Sequence, residues 1–532
     1  MTHGLSYWGW GFERSALDEG SRQKLGMLLS TQMDVGRLSP RTPKPVETIE
    51  LPPSRDVSDA PIELSTEPGD RARHTYGQAF RDVVRALEGD FSAAPDAVAR
   101  PSDEAELIAL LDWCDSRAMA VVPFGGGSSV VGGVEARFRD DVPAAISLDL
   151  ERLAGVKEVD VTSRAARIAA GTFGPDLEAA LAVQGLTLRH YPQSFERSTL
   201  GGWLATRAGG HFATLYTHID DLLESMRVVT PRGILESRRL PASGAGPSPD
   251  RLMLGSEGSL GIITEAWMRL QARPKHKVSA TVAFPDFYAA AEAARLVAQA
   301  ALYPTNCRVL DPNEAMINGV GDGQRAFLLL AFEGQDEPRQ PWLDRAVGIA
   351  EAVGGVVAKG QAPQPRLDVV ADEADDAAQR WRKMFLRAPY LRDGLVRLGA
   401  ITETFETAVL WRDFPDFHRK VKEAATDAVT RICGSGLVSS RLTHVYPDGA
   451  APYFTVIAPA KPGGSVAQWD EIKAAVSEVL IAEGGTITHH HAVGRDHRAW
   501  AQRQRPTLFT AMLRAAKREV DPRGILNPGV LI

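Results

Sequence analysis

Apolar positions come in short bursts along this chain, and the bursts alternate between helical spacing and continuous runs. Phe80, Val83, Val84 and Leu87 recur at helical intervals, as do Leu107, Ile108, Leu110 and Leu111 within Glu104–Trp113. Met119-Ala120-Val121-Val122 then predicts a buried strand, and Ala144–Leu148 a second. Val156–Val161 and Ala165–Ala170 read as a hairpin across Thr162-Ser163-Arg164. Gly174-Pro175-Asp176-Leu177 opens a helix, with proline in its first turn, and Gly185 ends it. Short strands and helices in this order predict α+β rather than a regular βαβ array.

After Leu270 the rhythm changes. Strands are predicted at Val278–Phe284, Cys307–Leu310 and Phe327–Phe332, with helices at Asp286–Gln299 and Pro341–Val353. A second round follows: helix Phe417–Ile432, strands Ser439–Tyr446 and Tyr453–Ile457, and helix Val466–Ile481. The last helix gathers Trp469, Ile472, Val476, Val479 and Leu480 on one face and stops at Gly484-Gly485. Two such rounds predict a separate domain from about Arg273, an open sheet covered on one side.

Ahead of both lies a proline- and charge-rich stretch, Leu38–Asp70, which reads as an extended arm. Trp8-Gly9-Trp10-Gly11 precedes it, with aromatics expected to dock on the body. The expected segments are 1–90 as arm and helices, 91–272 and 273–495 as the two main domains, and 496–532 as a helical return.

Composition narrows the classes. The 532 residues are 44% hydrophobic and 24% charged, as in ordinary globular proteins. A net charge of −7 argues against nucleic acid. Cys114, Cys307 and Cys433 lack metal spacing and point to a reducing compartment. Met1–Leu5 shows no secretory pattern and no run approaches a membrane span, so a cytoplasmic location is expected.

The chemistry gathers at a loop, Pro123-Phe124-Gly125-Gly126-Gly127-Ser128-Ser129. Three glycines without Cβ atoms let backbone N–H groups close on a ligand together, which suits a pyrophosphate. No Lys-Ser/Thr pair follows, so this is not a Walker loop, and the glycines are contiguous, unlike the dinucleotide fingerprint. Ser198-Thr199 ahead of Leu200-Gly201-Gly202 can cap a helix and hold phosphate. Gly255–Thr264 is glycine-rich and runs into a strand. Tyr446 and Tyr453 flank an Asp448-Gly449 turn, and His489-His490-His491 offers bases suited to neutral pH. In a strand the three imidazoles would alternate, which is a poor arrangement for one metal.

Taken together these stretches resemble the FAD flavoproteins of the vanillyl-alcohol oxidase and p-cresol methylhydroxylase type. Within that group the chain is most similar to the alkyldihydroxyacetonephosphate synthases, through the block from Ser198 to Gly209 and the triple histidine. The resemblance implies a PCMH-type FAD-binding domain with an α/β cap. It implies non-covalent FAD, since the glycine loop lacks His and Cys. The implied cofactor contacts are Pro123, Phe124, Gly125, Gly126, Gly127, Ser128, Ser129, His190, Gln193, Ser194, Ser198, Thr199 and Gly202. Thr206, Arg207, Ala208, Gly209, Glu257, Gly258, Gly261, Ile262 and Ile263 complete them. Tyr453, His489, His490 and His491 are the implied catalytic groups, and Arg392 and Arg308 the implied substrate-binding ones.

The activity so implied is exchange of the acyl group of an acyl dihydroxyacetone phosphate for a long-chain alcohol, with no net redox. The rival reading is an FAD-dependent 2-hydroxy acid dehydrogenase, in which an arginine holds the carboxylate and a histidine takes the hydroxyl proton. A small-molecule substrate, a homodimer and peripheral membrane contact are expected, and no nucleic acid or metal. Asn313–Gln324, after Arg308, is shorter than the matching region of eukaryotic members, where it helps admit long-chain substrates.

Overall fold

The computed structural model describes residues 4–30, 33, 34, 36, 38–216, 218–358 and 377–532, with side chains outside 377–384. The reading of the N-terminus rests partly on Met1–His3, which lie outside the described residues. Among the described residues no helix is long and apolar enough to cross a membrane.

The architecture is α+β, as the alternation predicts. Two small sheets build the first half. One runs Leu64–Ser65, Ala97–Ala99, Ala145–Asp149, Ala120–Phe124. The other runs Val156–Asp160, Ala165–Ala169, Ile262–Arg269, Leu223–Thr230, Gly233–Glu236. The strand Ala120–Phe124 is buried on both sides, explaining its unbroken apolar run, and it delivers the glycine loop at its C-terminal end. The chain's end closes its open edge: Val121 N–H donates to Ile525 O (2.8 Å) and Asn527 N–H to Val121 O (2.8 Å).

The second half is an antiparallel sheet in the order Val356–Val357, His276–Phe284, Ala326–Gly334, Asn306–Leu310, Leu437–Val445, Gly449–Pro459, Ala400–Glu406. Val409–Leu410 pairs with the start of Gly449–Pro459. One face is apolar. Ile401, Phe405, Val438, Phe454 and Val456 pack under helices Phe414–Cys433 and Ser465–Ala482. Phe405 and Phe454 stack at 4.7 Å. Helices Phe287–Gln299 and Gln340–Ala352 cover the other end of the same face. Asp286 caps the former through the N–H groups of Tyr288 and Ala289, both at 2.9 Å.

The opposite face is polar yet buried, and it points at the glycine loop. Antiparallel register sets Arg441 beside Tyr453, and Tyr453 beside Glu406, in one row across three strands. Ser439, Thr455 and Thr404 form the next row. Period-two alternation thus sends apolar side chains to the helices and polar ones to the interior.

Two stretches differ from the expectation. His489–His491 is a bend rather than a strand. The helix Ala377–Arg397 and the strand Ala400–Glu406 have no counterpart among the predicted elements, although both help bound the site. Trp8-Gly9-Trp10-Gly11 docks as expected: Asp393 accepts from Trp10 N–H (2.5 Å), and Gly11, at φ +60°, lies against Tyr390.

Candidate active site

A cavity of about 360 Å³ opens between the glycine loop and the polar face of the sheet. One wall is mostly backbone. A Cβ on Gly125 would fall on Thr199 Oγ1, and one on Gly126 would overlap the Arg197 carbonyl. Gly127 sits at φ +66°, which favours glycine. The loop and Arg197–Thr199 therefore stack directly, and all of Pro123–Ser129 lines the cavity. Glu257–Gly258 joins them: Gly258 at φ +73° leaves no room for a side chain beside Pro123. Asn527 Nδ2 ties this wall together, donating to Gly133 O (3.0 Å) and Glu257 O (2.8 Å).

The hydroxyls of this wall serve the protein itself. Ser129 Oγ accepts from Gly133 N–H (2.9 Å). Ser198 Oγ donates to Ser194 O (2.8 Å) and accepts from Trp203 Nε1 (2.7 Å). Thr199 Oγ1 caps the helix Leu200–Thr206 through Gly202 N–H, and Thr206 donates to Gly202 O (2.7 Å). The sequence suggests a phosphate-holding role for Ser198 and Thr199 as well. Ser198 is fully engaged and Thr199 accepts the cap bond, so the backbone amides of the loop carry most of that role, beside the Ser128 and Thr199 O–H groups at the cavity. Such a cradle suits the pyrophosphate of FAD, and Gln193, Ser194, Gly202, Ala208, Gly209, Gly261, Ile262 and Ile263 extend it along the cavity. Glu257 is a buried acid of this wall. Burial pushes it up to about 7, although Val493 and Gly494 N–H groups donate to it at 2.9 and 2.8 Å.

Two of the expected cofactor contacts lie elsewhere. Arg207 points outward, 62% exposed, and pairs with Asp220 at 2.6 Å. His190 is buried behind the wall, 5.0 Å from the Trp203 ring, and burial pushes it down to about 3.

The facing wall is made of side chains. Tyr453, Arg441, Thr443, His444, His490 and His491 all border the cavity. The Arg441 guanidinium lies 3.9 Å over the Tyr453 ring and pairs with Glu314, and its Nε donates to Thr443 Oγ1 (3.2 Å). Burial pushes the Tyr453 phenol up, with Arg441 opposing. Glu406 organises the histidines. Its Oε1 accepts from the N–H groups of His489 (2.9 Å), His490 (2.6 Å) and His491 (2.8 Å) and from Thr488 Oγ1 (2.9 Å). Its Oε2 lies 2.5 Å from His490 Nδ1. Burial alone would raise this carboxyl, but His490, His491 and the hydrogen bonds hold it well below the usual range. Burial pushes His491 down to about 4 and His489 to about 3. The walls meet at Gly209, where a Cβ would come within 3.2 Å of the His490 ring.

The other predicted groups separate here. His490, His491 and Tyr453 come together on the cavity, whereas His489 stands one layer behind. Arg308 is fully buried behind Phe385, 4.9 Å from its ring, and donates to His211 O (3.2 Å). It does not border the cavity, and burial, then Arg441, push it down to about 9. Arg392 does border it, but its guanidinium is held by Gln78 Oε1 (2.6 Å) and Asp393 Oδ1 (2.6 Å). The cations nearer the histidines are Arg441 and Lys473, neither of them among the expected site residues. Lys473 donates to Glu403 at 2.9 Å. Arg441 has a sequence signal, as the charged member of an alternating strand, Ser439-Ser440-Arg441-Leu442-Thr443. Glu406 carries no local signal.

A metal is a weaker fit. Ligand atoms of His444, His489 and His490, and of Glu406, His490 and His491, lie within 4.8 Å of one another. Those of Glu406, His489 and His490 are already hydrogen-bonded to each other or to backbone.

Comparison with known proteins extends this picture. Residues 95–237 match the FAD binding domain family, and 273–531 match the C-terminal domain of FAD linked oxidases. The chain is 30% identical over 498 residues to an alkyldihydroxyacetonephosphate synthase of Dictyostelium discoideum, covering 89% of this chain and 79% of that protein. It is 26% identical over 497 residues to a D-2-hydroxyglutarate dehydrogenase of Xanthomonas citri pv. viticola, covering 88% and 94%. A solved alkyldihydroxyacetonephosphate synthase superposes with TM-score 0.82 at 25% identity, over 99% of this chain and 98% of that one.

Proposed function

The chain belongs to the alkyldihydroxyacetonephosphate synthase family of FAD-dependent enzymes, and from that premise we propose that it exchanges the acyl group of an acyl dihydroxyacetone phosphate for a long-chain alcohol. The observation that carries the reading is the facing of a backbone cradle by Tyr453, His490 and His491 across one cavity. FAD, when bound there, supplies an electron sink next to the reacting carbon. The remaining work falls to this chain. His490 takes a proton from the carbon bearing the ester oxygen and returns it to that carbon after the exchange. The Tyr453 hydroxyl, kept protonated by burial, hands its proton to the departing carboxylate and regains one from the alcohol. The carbon–oxygen bond to the fatty acid breaks, and the alcohol oxygen takes its place. The alcohol proton leaves with the carboxylic acid, so no electrons are gained or lost overall.

In this reading Arg441, Lys473 and Arg392, all bordering the cavity, are the cations that hold the phosphate, and Arg308 lies buried behind them. Helix Pro312–Ile317 folds the short segment after Arg308 back onto the cavity, where Glu314, Ile317 and Asn318 border it. Peripheral membrane contact belongs to this reading, and exposed Leu508, Phe509 and Met512 on the helix Thr507–Val520 support it.

The test is direct. Purified protein given acyl dihydroxyacetone phosphate and a labelled long-chain alcohol should release one fatty acid for each ether-linked product. Fatty acid release without incorporation of the alcohol would reduce the activity to hydrolysis and refute the exchange.

A further inference from the structure

The hydrogen bonds behind the cavity run in a ladder that leaves little choice of tautomer. Four donors converge on Glu406 Oε1 and share its lone pairs, a setting that calls for the acceptor-only, ionised carboxylate. At 2.5 Å from Nδ1 the ionised Oε2 would repel a bare nitrogen lone pair, although the angle makes no regular hydrogen bond between them, so the His490 proton sits on Nδ1. His490 Nδ1 is also 3.0 Å from His489 Nδ1. Two N–H groups cannot face each other at that distance, so His489 Nδ1 is bare and its proton is on Nε2. From there it donates to the Tyr446 hydroxyl at 2.8 Å. The Tyr446 proton is then directed to His218 Nε2, 2.5 Å away, which must be bare. Burial keeps His489 and His218 neutral, at about 3 and 4, as the ladder requires.

We propose that Glu406, His489, Tyr446 and His218 are positioning residues for His490, holding its proton on Nδ1 so that Nε2 is the bare nitrogen of the one imidazole in the ladder that borders the cavity. The inference rests on the exchange reaction above for what the base acts on, but the ladder stands on geometry alone. A base whose second nitrogen is fixed by a carboxylate needs no reorganisation when it takes a proton, because the new imidazolium already has its counter-ion.

The test reads tautomers and turnover separately. In holoenzyme labelled with nitrogen-15 histidine, long-range proton–nitrogen spectra assigned with single-histidine variants should show Nδ1–H on His490, Nε2–H on His489 and bare Nε2 on His218. The proton on His490 Nε2 would overturn the proposal, even in a protein without exchange activity. Glu406→Gln puts an amide donor against His490 Nδ1 and should flip that tautomer, lowering kcat by roughly four orders of magnitude, as a carboxylate-to-amide change beside a catalytic histidine does. Tyr446→Phe removes only the far support. It should lower kcat about tenfold, change KM less than twofold, keep FAD, and mix the His489 tautomers. Unchanged tautomers in both variants, whatever happens to turnover or melting temperature, would reduce the ladder to packing and refute it. Should Glu406→Gln fail to fold, Tyr446→Phe alone decides.

Discussion

The two walls of the cavity place their functional groups by different means. On the flavin side, Gly125, Gly126 and Gly127 present main-chain amides, and the nearby hydroxyls of Ser129, Ser198 and Thr199 are engaged in the loop's own turns. On the cap side, Tyr453, Arg441 and the histidines present side chains, held by a carboxylate from another strand and by cross-strand register. A cofactor that stays bound needs a fixed cradle, and the acid in this one, Glu257, is itself tied down by the N–H groups of Val493 and Gly494. A reaction that moves protons needs groups whose protonation is set by their surroundings, and burial does this for Tyr453 and His491, with Arg441 and Glu406 opposing it. Damage to the first wall should cost the cofactor, and damage to the second should cost turnover with the cofactor in place.

The largest effect is expected at Gly126→Ala. Its Cβ would overlap the Arg197 carbonyl, a backbone atom that cannot swing aside. The purified variant should be colourless, with flavin absorbance near zero per chain; full FAD occupancy would mean the cradle is looser than described. Next comes Tyr453→Phe, which keeps the ring under Arg441. Turnover should fall about a hundredfold, in line with general acid–base contributions, at unchanged FAD content. A variant with normal turnover per bound FAD and a lowered melting temperature would return Tyr453 to a packing role.

Much of this contrast is legible in the amino-acid sequence. The glycine loop is local, so its residues announce the cradle at once, and the helix cap at Thr199 follows from composition. The cap side is assembled from residues far apart in the chain. Arg441, Tyr453 and Glu406 meet only through strand register, and Glu406 sits at the end of a strand that periodicity does not single out. The histidines are found by type, but their shape as a bend around one carboxylate is a tertiary fact. Arginines mislead for the same reason: Arg308 and Arg207 look alike in sequence, and burial alone sends one inward and the other to solvent.

A third, more gradual effect concerns pH. Burial pushes His190, His418, His489 and His497 down to about 3 and His218 and His491 to about 4. In the unfolded chain each takes up a proton near pH 6.5, so stability is lost as pH falls below that value. Glu257 and Asp82, pushed up by burial to about 7, act in the opposite sense, their contribution being lost as pH rises from about 4.5. His444, also pushed well down, joins the histidines, and Asp250, Asp311, Asp393 and Asp470, pushed up less than Glu257 and Asp82, join the acids. The histidine shifts are the larger, so the melting temperature should drop between pH 6.5 and 4.5. A flat profile over that interval would show that the histidines are more solvated than the structure has them.

The smallest effect sharpens the boundary of the cradle. Arg207→Ala removes an outward-facing side chain whose partner is Asp220. FAD content and turnover should both stay within about twofold of the wild type, since exposed pairs contribute little. Loss of flavin in this variant would bring Arg207 back among the cofactor contacts.

The central claim is exchange without net redox, and the flavin spectrum reads it most directly. Under anaerobic conditions the holoenzyme is mixed with acyl dihydroxyacetone phosphate and then with a long-chain alcohol, and flavin absorbance is followed to the end of turnover. The account predicts a transient change that returns to the oxidised spectrum, with fatty acid released, and no bleaching by 2-hydroxy acids. Full and lasting reduction by a 2-hydroxy acid, with no response to the acyl ester, would contradict it and make the enzyme a dehydrogenase.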